Sequence, residues 1–233
     1  MNLLSIVILT FNSEKYINKV LQSCQFADEV LIVDSGSKDK TLEIAQQFNN
    51  VKIFKQIWLG FGKQKQKGVE LAKNDFIFVL DSDEVITKEL QDEIITILKN
   101  PKFKAYKTPR LNYFFGKPLK RCGLYPDYTI RLFHKNFASF SNDKVHEKVI
   151  TKENLGKIRA HMLHFAYENI EEFITKQNKY SSLNKKTNWI KAIINPYWTF
   201  FKLYILKLGF LEGWRGFLVA KLYAQYTFWK YSK

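Results

Sequence analysis

Phe76-Ile77-Phe78-Val79-Leu80 is an unbroken run of large apolar side chains that stops at Asp81-Ser82-Asp83-Glu84. It is too short for a buried helix and too uniformly apolar for a strand with one wet face. It therefore reads as a strand covered on both sides, as in a parallel sheet. Ser5-Ile6-Val7-Ile8-Leu9, Val30-Leu31-Ile32-Val33 and Val51 to Phe54 are runs of the same kind. Helical patterns alternate with them: from the candidate cap Ser13 to about Cys24, from Thr41 to Phe48, and from Lys63 to Ala72. Four strand–helix units in this order predict an α/β fold with a mostly parallel central sheet and helices on both faces. A chain of 233 residues accommodates one such core and an extension.

In an open α/β sheet the ligand crevice lies beyond the carboxyl ends of the strands. Three polar segments should meet there: Thr10-Phe11-Asn12, Asp34-Ser35-Gly36-Ser37 and Asp81-Ser82-Asp83-Glu84. Hard carboxylate oxygens at the last of these suit Mg²⁺ or Mn²⁺, which bridge phosphate oxygens and keep several waters. The same acids could instead cap a helix beginning near Thr87. Asp34 has two open readings as well, a ligand contact or an Asx turn holding Ser35 and Gly36.

The formal net charge of +15, with 16% aromatic residues, calls for an anionic partner, whether nucleic acid, anionic lipid or a phosphorylated substrate. Nucleic acid leaves the strand-end motifs unexplained and is not expected. A phosphatase acting through two Asp residues would place its nucleophile after the first strand, where Thr10 and Asn12 stand. Cys24 and Cys122 lie far apart, with no metal-ligand spacing, so a reducing compartment fits. Met1 to Thr10 carry no basic leader or small-residue cleavage site, and Lys202 and Lys207 interrupt the most apolar stretch. A cytoplasmic enzyme without a spanning helix is the expectation.

Residues 99 to 121 hold eight Lys or Arg, no acid, and Pro101, Pro109 and Pro118. They read as an irregular basic flank facing an anionic acceptor or lipid headgroups. Thr129 to Phe133 and Val145 to Val149 read as strands, and Glu168 to Lys186 as a polar helix. From Trp189 onward the chain has seven Lys or Arg and a single acid, Glu212, among many aromatics. Pro196 is placed at a helix start. Over 197–208 the polar Thr199, Lys202 and Lys207 share one side, which suits a helix lying in a membrane interface. An amphipathic cover packed on the catalytic domain is the other reading of this segment. Lys63 and Lys65 read as solvated charges, whereas the planar fork of Arg131 suits an anion. His161-x-x-His164 lacks further ligands and reads as structural.

The three strand-end motifs, with Asp34-Ser35-Gly36-Ser37-Lys38-Asp39-Lys40-Thr41 taken in full, resemble the inverting glycosyltransferases of family two, with their GT-A fold. Tyr125-Pro126-Asp127-Tyr128, Arg131-Leu132-Phe133, Val145-His146-Glu147 and Gly209-Phe210-Leu211-Glu212-Gly213 extend the likeness over nearly the whole chain. This wider pattern is similar to the branch that adds β-linked glucose to heptose in the lipopolysaccharide inner core. Gln66 stands where the resemblance expects Asn.

The resemblance implies a UDP-sugar donor, a lipid-anchored saccharide acceptor and a Mg²⁺ or Mn²⁺ ion. It implies that Thr10, Asn12, Asp34 and Ser35 line the nucleotide pocket, with Asp34 on the uracil and Asp81 near the ribose. Asp83 would hold the metal, and His164 would reach the metal or the diphosphate, while the fork of Arg131, read from its own chemistry, is the candidate for the donor phosphate. An inverting transfer needs one general base; Asp127 and Glu147 are both candidates. The expected organisation is a catalytic domain over 1–165, split into a nucleotide-sugar half (1–100) and an acceptor half (101–165). A helical extension over 166–233 would rest on the anionic cytoplasmic face of the inner membrane.

Overall fold

In the computed structural model, which describes residues 2–141, 147–183 and 186–233, the four apolar runs are strands β1 (Leu4–Thr10), β2 (Glu29–Asp34), β3 (Val51–Lys55) and β4 (Phe76–Asp81). Helices α1 (Glu14–Ser23), α2 (Thr41–Ala45) and α3 (Phe61–Leu71) connect them, and β5 (Glu84–Ile86) and α4 (Lys88–Lys99) follow. Next come β6 (Ala105–Phe114), β7 (Lys117–Pro118), β8 (Asp127–His134), β9 (Ala138–Phe140), β10 (Val149–Thr151), β11 (Leu155–Lys157) and β12 (Met162–Tyr167). The chain ends in α5 (Ile170–Leu183), α6 (Trp189–Phe201), a π-helical turn at Lys202–Leu206, a 3₁₀ turn at Gly209–Glu212, and α7 (Gly213–Ser232). The contacts divide it into two units, Met1–Arg110 with Tyr128–Leu163, and Leu111–Asp127 with His164–Lys233.

The main sheet has the order β3-β2-β1-β4-β8-β6-β12-β5, with β7 and β11 paired to β6. β1 runs parallel to β2 and β4, and β2 parallel to β3, while β8 is antiparallel to β4. Register sets Thr10 opposite Asp34 and Leu9 opposite Asp81, which puts the three polar strand ends on one edge. β1 and β2 are buried at every position, as their continuous apolar sequences require. Alternate residues Val7, Leu9, Leu31, Val33, Ile77 and Val79 form one face and pack with Val69 and Ala72. Each such side chain contributes roughly 1.5–3 kcal/mol by leaving water.

α3 approaches this face through Gly68. A Cβ there would lie 2.4 Å from Val7 Cγ1 and 3.0 Å from Val33 Cγ2.

Several expectations change. Residues 99–121 are not irregular: the ten-residue β6 runs through them with two buried positions for each half-buried one. Lys107, Arg110 and Pro109 disguise a strand in which Pro109 is buried and the two long side chains are half-buried, Arg110 ending on the buried Glu84. Ser13 makes no side-chain cap on α1; its Oγ bonds Ser82 Oγ instead. Asp81 to Glu84 do not cap α4, because Thr87 Oγ1 does so by accepting from Leu90 N at 3.2 Å. Pro196 lies inside α6, which starts earlier at the cap Asn188, whose side chain accepts from Lys191 N. In the strand expected over 145–149, Val145 and His146 fall outside the described residues, and β10 begins at Val149.

In the second unit Phe114, Leu119, Tyr167, Phe173, Val219 and Leu222 form the core. The Gly209-to-Gly213 motif is a corner here. Gly216 has its Cα against the Gly209 carbonyl, where a Cβ would sit 1.8 Å from that oxygen. Glu212 Oε1 accepts from Lys120 N and Arg121 N.

Gly68→Ala should lower stability by about 1–3 kcal/mol through overpacking against Val7. Chemical denaturation of the two proteins measures it, and an unchanged midpoint would disprove the tight helix–strand contact.

Candidate active site

The three strand-end loops are laced together by side chains. Asp34, 1% exposed, accepts four hydrogen bonds: Oδ1 from Thr10 Oγ1 (2.9 Å) and Ser37 Oγ, and Oδ2 from Gly36 N (2.8 Å) and Ser37 N (2.9 Å). Burial alone would raise its pKa, but the donors of Ser37, Gly36 and Thr10 bring it below the ordinary carboxylate value. Gly36 has φ +98°, a left-handed conformation that glycine adopts without strain. Asn12, at φ +49°, donates its N–H to Ser37 Oγ and accepts from Lys38 N. Ser13 joins the third loop, with its N–H on Thr41 Oγ1 and its Oγ 3.0 Å from Ser82 Oγ. Ser35 donates its N–H to Thr10 O, and its Oγ accepts from Gln64 Nε2 at 3.1 Å.

Beside this lattice runs a chain of ion pairs. Asp81 Oδ1 is 2.9 Å from Lys65 Nζ and its Oδ2 is 3.0 Å from Arg131 NH2. Lys65 Nζ also holds Glu147 Oε1 at 3.0 Å. Arg131 NH2 reaches Glu84 Oε1 at 2.6 Å and its NH1 donates to Val79 O, while Arg110 NH1 lies 3.3 Å from the same Glu84 oxygen. The second Glu84 oxygen accepts from Asp81 N. Three acids and three bases thus alternate, and Lys65, Arg131 and Glu84 are each at most 5% exposed.

Burial by itself would push Asp81 up, yet Lys65 and Arg131 hold it well below the usual carboxylate range. For Lys65 burial works toward a lower pKa, and the Asp81 and Glu147 carboxylates overcome it, so the ammonium persists to higher pH than usual. Arg131 is shifted upward, with burial opposing and Glu84 and Asp81 prevailing.

The first unit therefore brings Thr10, Asn12, Asp34, Ser35, Asp81, Asp83, Arg131 and Glu147 onto elements at one edge or packed directly behind it. Asp127, half-buried, opens β8 after the cis Tyr125–Pro126 bond and belongs to the second unit. His164 belongs there too. Asn112 Nδ2 donates to Leu124 O, so Asn112 Oδ1 is the acceptor 2.6 Å from His164 Nδ1. With that oxygen accepting, His164 Nδ1 is the donor of the pair, and the bond holds the orientation of the ring.

Among the described residues no group of three or more His, Cys, Asp or Glu forms a metal cage. Asp81 and Glu84 have both oxygens on protein donors, and the turn also carries the half-buried Asp83, another hard oxygen donor. Such a set fits Mg²⁺ or Mn²⁺, which take one or two carboxylates and complete their shell with water and phosphate oxygens. It does not fit an ion that needs an all-protein cage. A hollow of about 520 Å³ lies elsewhere, lined by Asn18, Gln22, Gln47 and Asn49 among others, toward the amino ends of the strands.

Lys65 and Gln64 are the residues that sequence reasoning missed. Lys65 is buried, not solvated, and Gln64 is fully buried, with Nε2 also on Gln56 O and Oε1 accepting from Leu59 N. The available signal was position: Lys65 shares the helix face of Gly62, Gly68 and Val69, all buried.

The chain has recognisable relatives. The family described as Glycosyl transferase family 2 matches residues 5–134. An uncharacterized glycosyltransferase of Rickettsia felis is 31% identical over 100% of this chain and 89% of its own length. The lipopolysaccharide core biosynthesis glycosyltransferase LpsC of Rhizobium meliloti is 29% identical over 97% of this chain and 89% of its own. In fold, the chain is similar to S. aureus TarS 1–349 crystallised with UDP, with TM-score 0.53, 18% identity, and coverage of 86% of this chain and 72% of that one.

Lys65→Met should cost about 3–5 kcal/mol, because it leaves Asp81 and Glu147 short of a buried partner; urea unfolding reads this directly. The pH dependence has a definite sign. Asp34 and Asp81 have folded pKa values below their unfolded ones, about 3.9. The stability they confer is complete above that value and is lost as pH falls through the folded values. Thermal midpoints should therefore drop steeply on acidification below about pH 4, and Asp34→Asn should flatten that slope.

Proposed function

The chain belongs to glycosyltransferase family 2, and on that premise we propose that it is an inverting hexosyltransferase. It moves a hexose, glucose, from a UDP-sugar to a heptose of a lipopolysaccharide or lipooligosaccharide core, with Mg²⁺ or Mn²⁺ assisting a single displacement. The observation that carries this reading is the interlocked edge of three strand-end loops backed by the Lys65–Asp81–Arg131 chain. The name of the LpsC relative supports the acceptor class.

In this reading the Thr10–Asp34–Ser35 lattice shapes the uracil pocket, with Asn12 fixing the loop around Ser37 and Lys38. Asp81 is turned toward the ribose by Lys65 and Arg131, and Arg131 acts on the donor through that carboxylate. Asp83 would hold the divalent ion. When bound, that ion supplies positive charge to the leaving diphosphate.

The acceptor hydroxyl attacks the anomeric carbon from the side opposite the diphosphate and gives up its proton to a carboxylate. We assign that base to Asp127. Glu147, held by Lys65 at 3.0 Å, is the other candidate.

The extension completes the reading as a peripheral anchor on an anionic cytoplasmic membrane face. No helix among the described residues is long and apolar enough to cross a membrane. α6 nevertheless exposes a stripe of Trp189, Ile190, Ile193, Ile194, Tyr197 and Trp198, flanked by Lys191 and Lys202. Such an apolar face with lysines at its border suits an interfacial helix.

A panel of UDP-hexoses with Mg²⁺ or Mn²⁺ and a heptose-terminated core acceptor tests the reaction, with product anomeric configuration read by NMR. Asp127→Asn should reduce kcat by about 10²–10⁴ with donor KM little changed. Glu147→Gln should retain substantially more turnover. Near-normal turnover in Asp127→Asn would remove that residue as the base.

A further inference from the structure

The connection from β3 to α3 holds four large apolar side chains in water: Ile57 is 85% exposed, and Trp58, Leu59 and Phe61 are each close to half exposed. This is not a frayed loop. Gln64, buried beneath it, accepts from Leu59 N and donates to Gln56 O. Gly60 turns the chain at φ +93°, and the Trp58 and Phe61 rings meet edge to face at 4.7 Å. Gln56 N is tied to Asp34 O at 2.8 Å, so the tip projects from the strand-end edge of the first unit. Of the lysines around it, Lys65 is buried in ion pairs and Lys52 pairs with Glu29, while Lys55 and Lys63 flank the tip, exposed, with no acid between Glu43 and Glu70.

We propose that Ile57-Trp58-Leu59-Gly60-Phe61 is a wedge that inserts into the headgroup region of an anionic bilayer. A tip of aliphatic and aromatic side chains gains by entering the acyl boundary, and Trp favours the interface itself. The lysines at its base meet the negative surface, each adding attraction there. Four side chains fall far short of the roughly 20–30 residues a side of a stable protein interface, whereas a bilayer requires no matched shape. The wedge is separate from the α6 stripe. It gives the first unit its own membrane contact beside the donor-binding edge, and it holds whether or not the extension binds lipid.

The test uses the full chain. Flotation with phosphatidylglycerol-containing vesicles should show Ile57→Glu/Leu59→Glu binding about tenfold more weakly than the parent, with an unchanged melting profile. The part of the tryptophan fluorescence that brominated anionic lipid quenches should fall clearly in Trp58→Phe, which removes the one ring of the wedge among the five of the chain. This conservative variant decides the matter should the double variant not fold. The proposal is overturned if the double variant floats like the parent, or if Trp58→Phe leaves the quenching intact. It is equally overturned if the double variant changes self-association and not vesicle binding, since the tip would then be a protein contact.

Discussion

Everything at the strand-end edge depends on one electrostatic problem, the placement of a carboxylate at the end of a strand that is otherwise wholly apolar. Asp81 follows Phe76-Ile77-Phe78-Val79-Leu80, all buried. A charge in such a place is costly unless paired and hydrogen-bonded. The protein meets that cost from two sides, with Lys65 reaching from α3 and Arg131 from β8. Lys65 reaches it from a helix whose Gly68 lies against Val7 and Val33, where a Cβ would clash. The packing of a helix on a sheet and the orientation of a functional carboxylate are thus one arrangement.

Much of the fold was legible because burial on both faces leaves no choice of residue. The runs at β1, β2 and β4 could be read as strands directly, and their ends located the edge where ligands gather. Reading failed where a side chain has two characters. Lys107 and Arg110 carry long methylene stems, so β6 looked like a charged flank. Lys65 and Gln64 are polar residues on an inward helix face, and polarity by itself reads as exposure. A short glycine-bearing helix weakens the periodic signal that would have corrected this. Asp34 was read in two ways, and its geometry explains why: the carboxylate both stands at a strand end and closes a turn over Gly36 and Ser37.

The second unit follows different physics. Its corner at Gly209 and Gly216 is set by backbone-to-backbone contact, and Glu212 fastens the 120–121 loop there. The recognisable string around Glu212 is therefore an architectural signature. By contrast, Asn112 and His164 form a hydrogen-bonded pair that orients an imidazole ring.

The alternation of Glu147, Lys65, Asp81, Arg131, Glu84 and Arg110 has an evolutionary consequence. Its charges cancel, so no single neutralising substitution is neutral in effect: each strands a partner of opposite sign in a poorly hydrated place. Such positions drift only in correlated steps, one sign compensated by the other. Six residues scattered from 65 to 147 in the chain are thereby coupled, and a change of sign at one is compensated only by a change at a neighbour in the series.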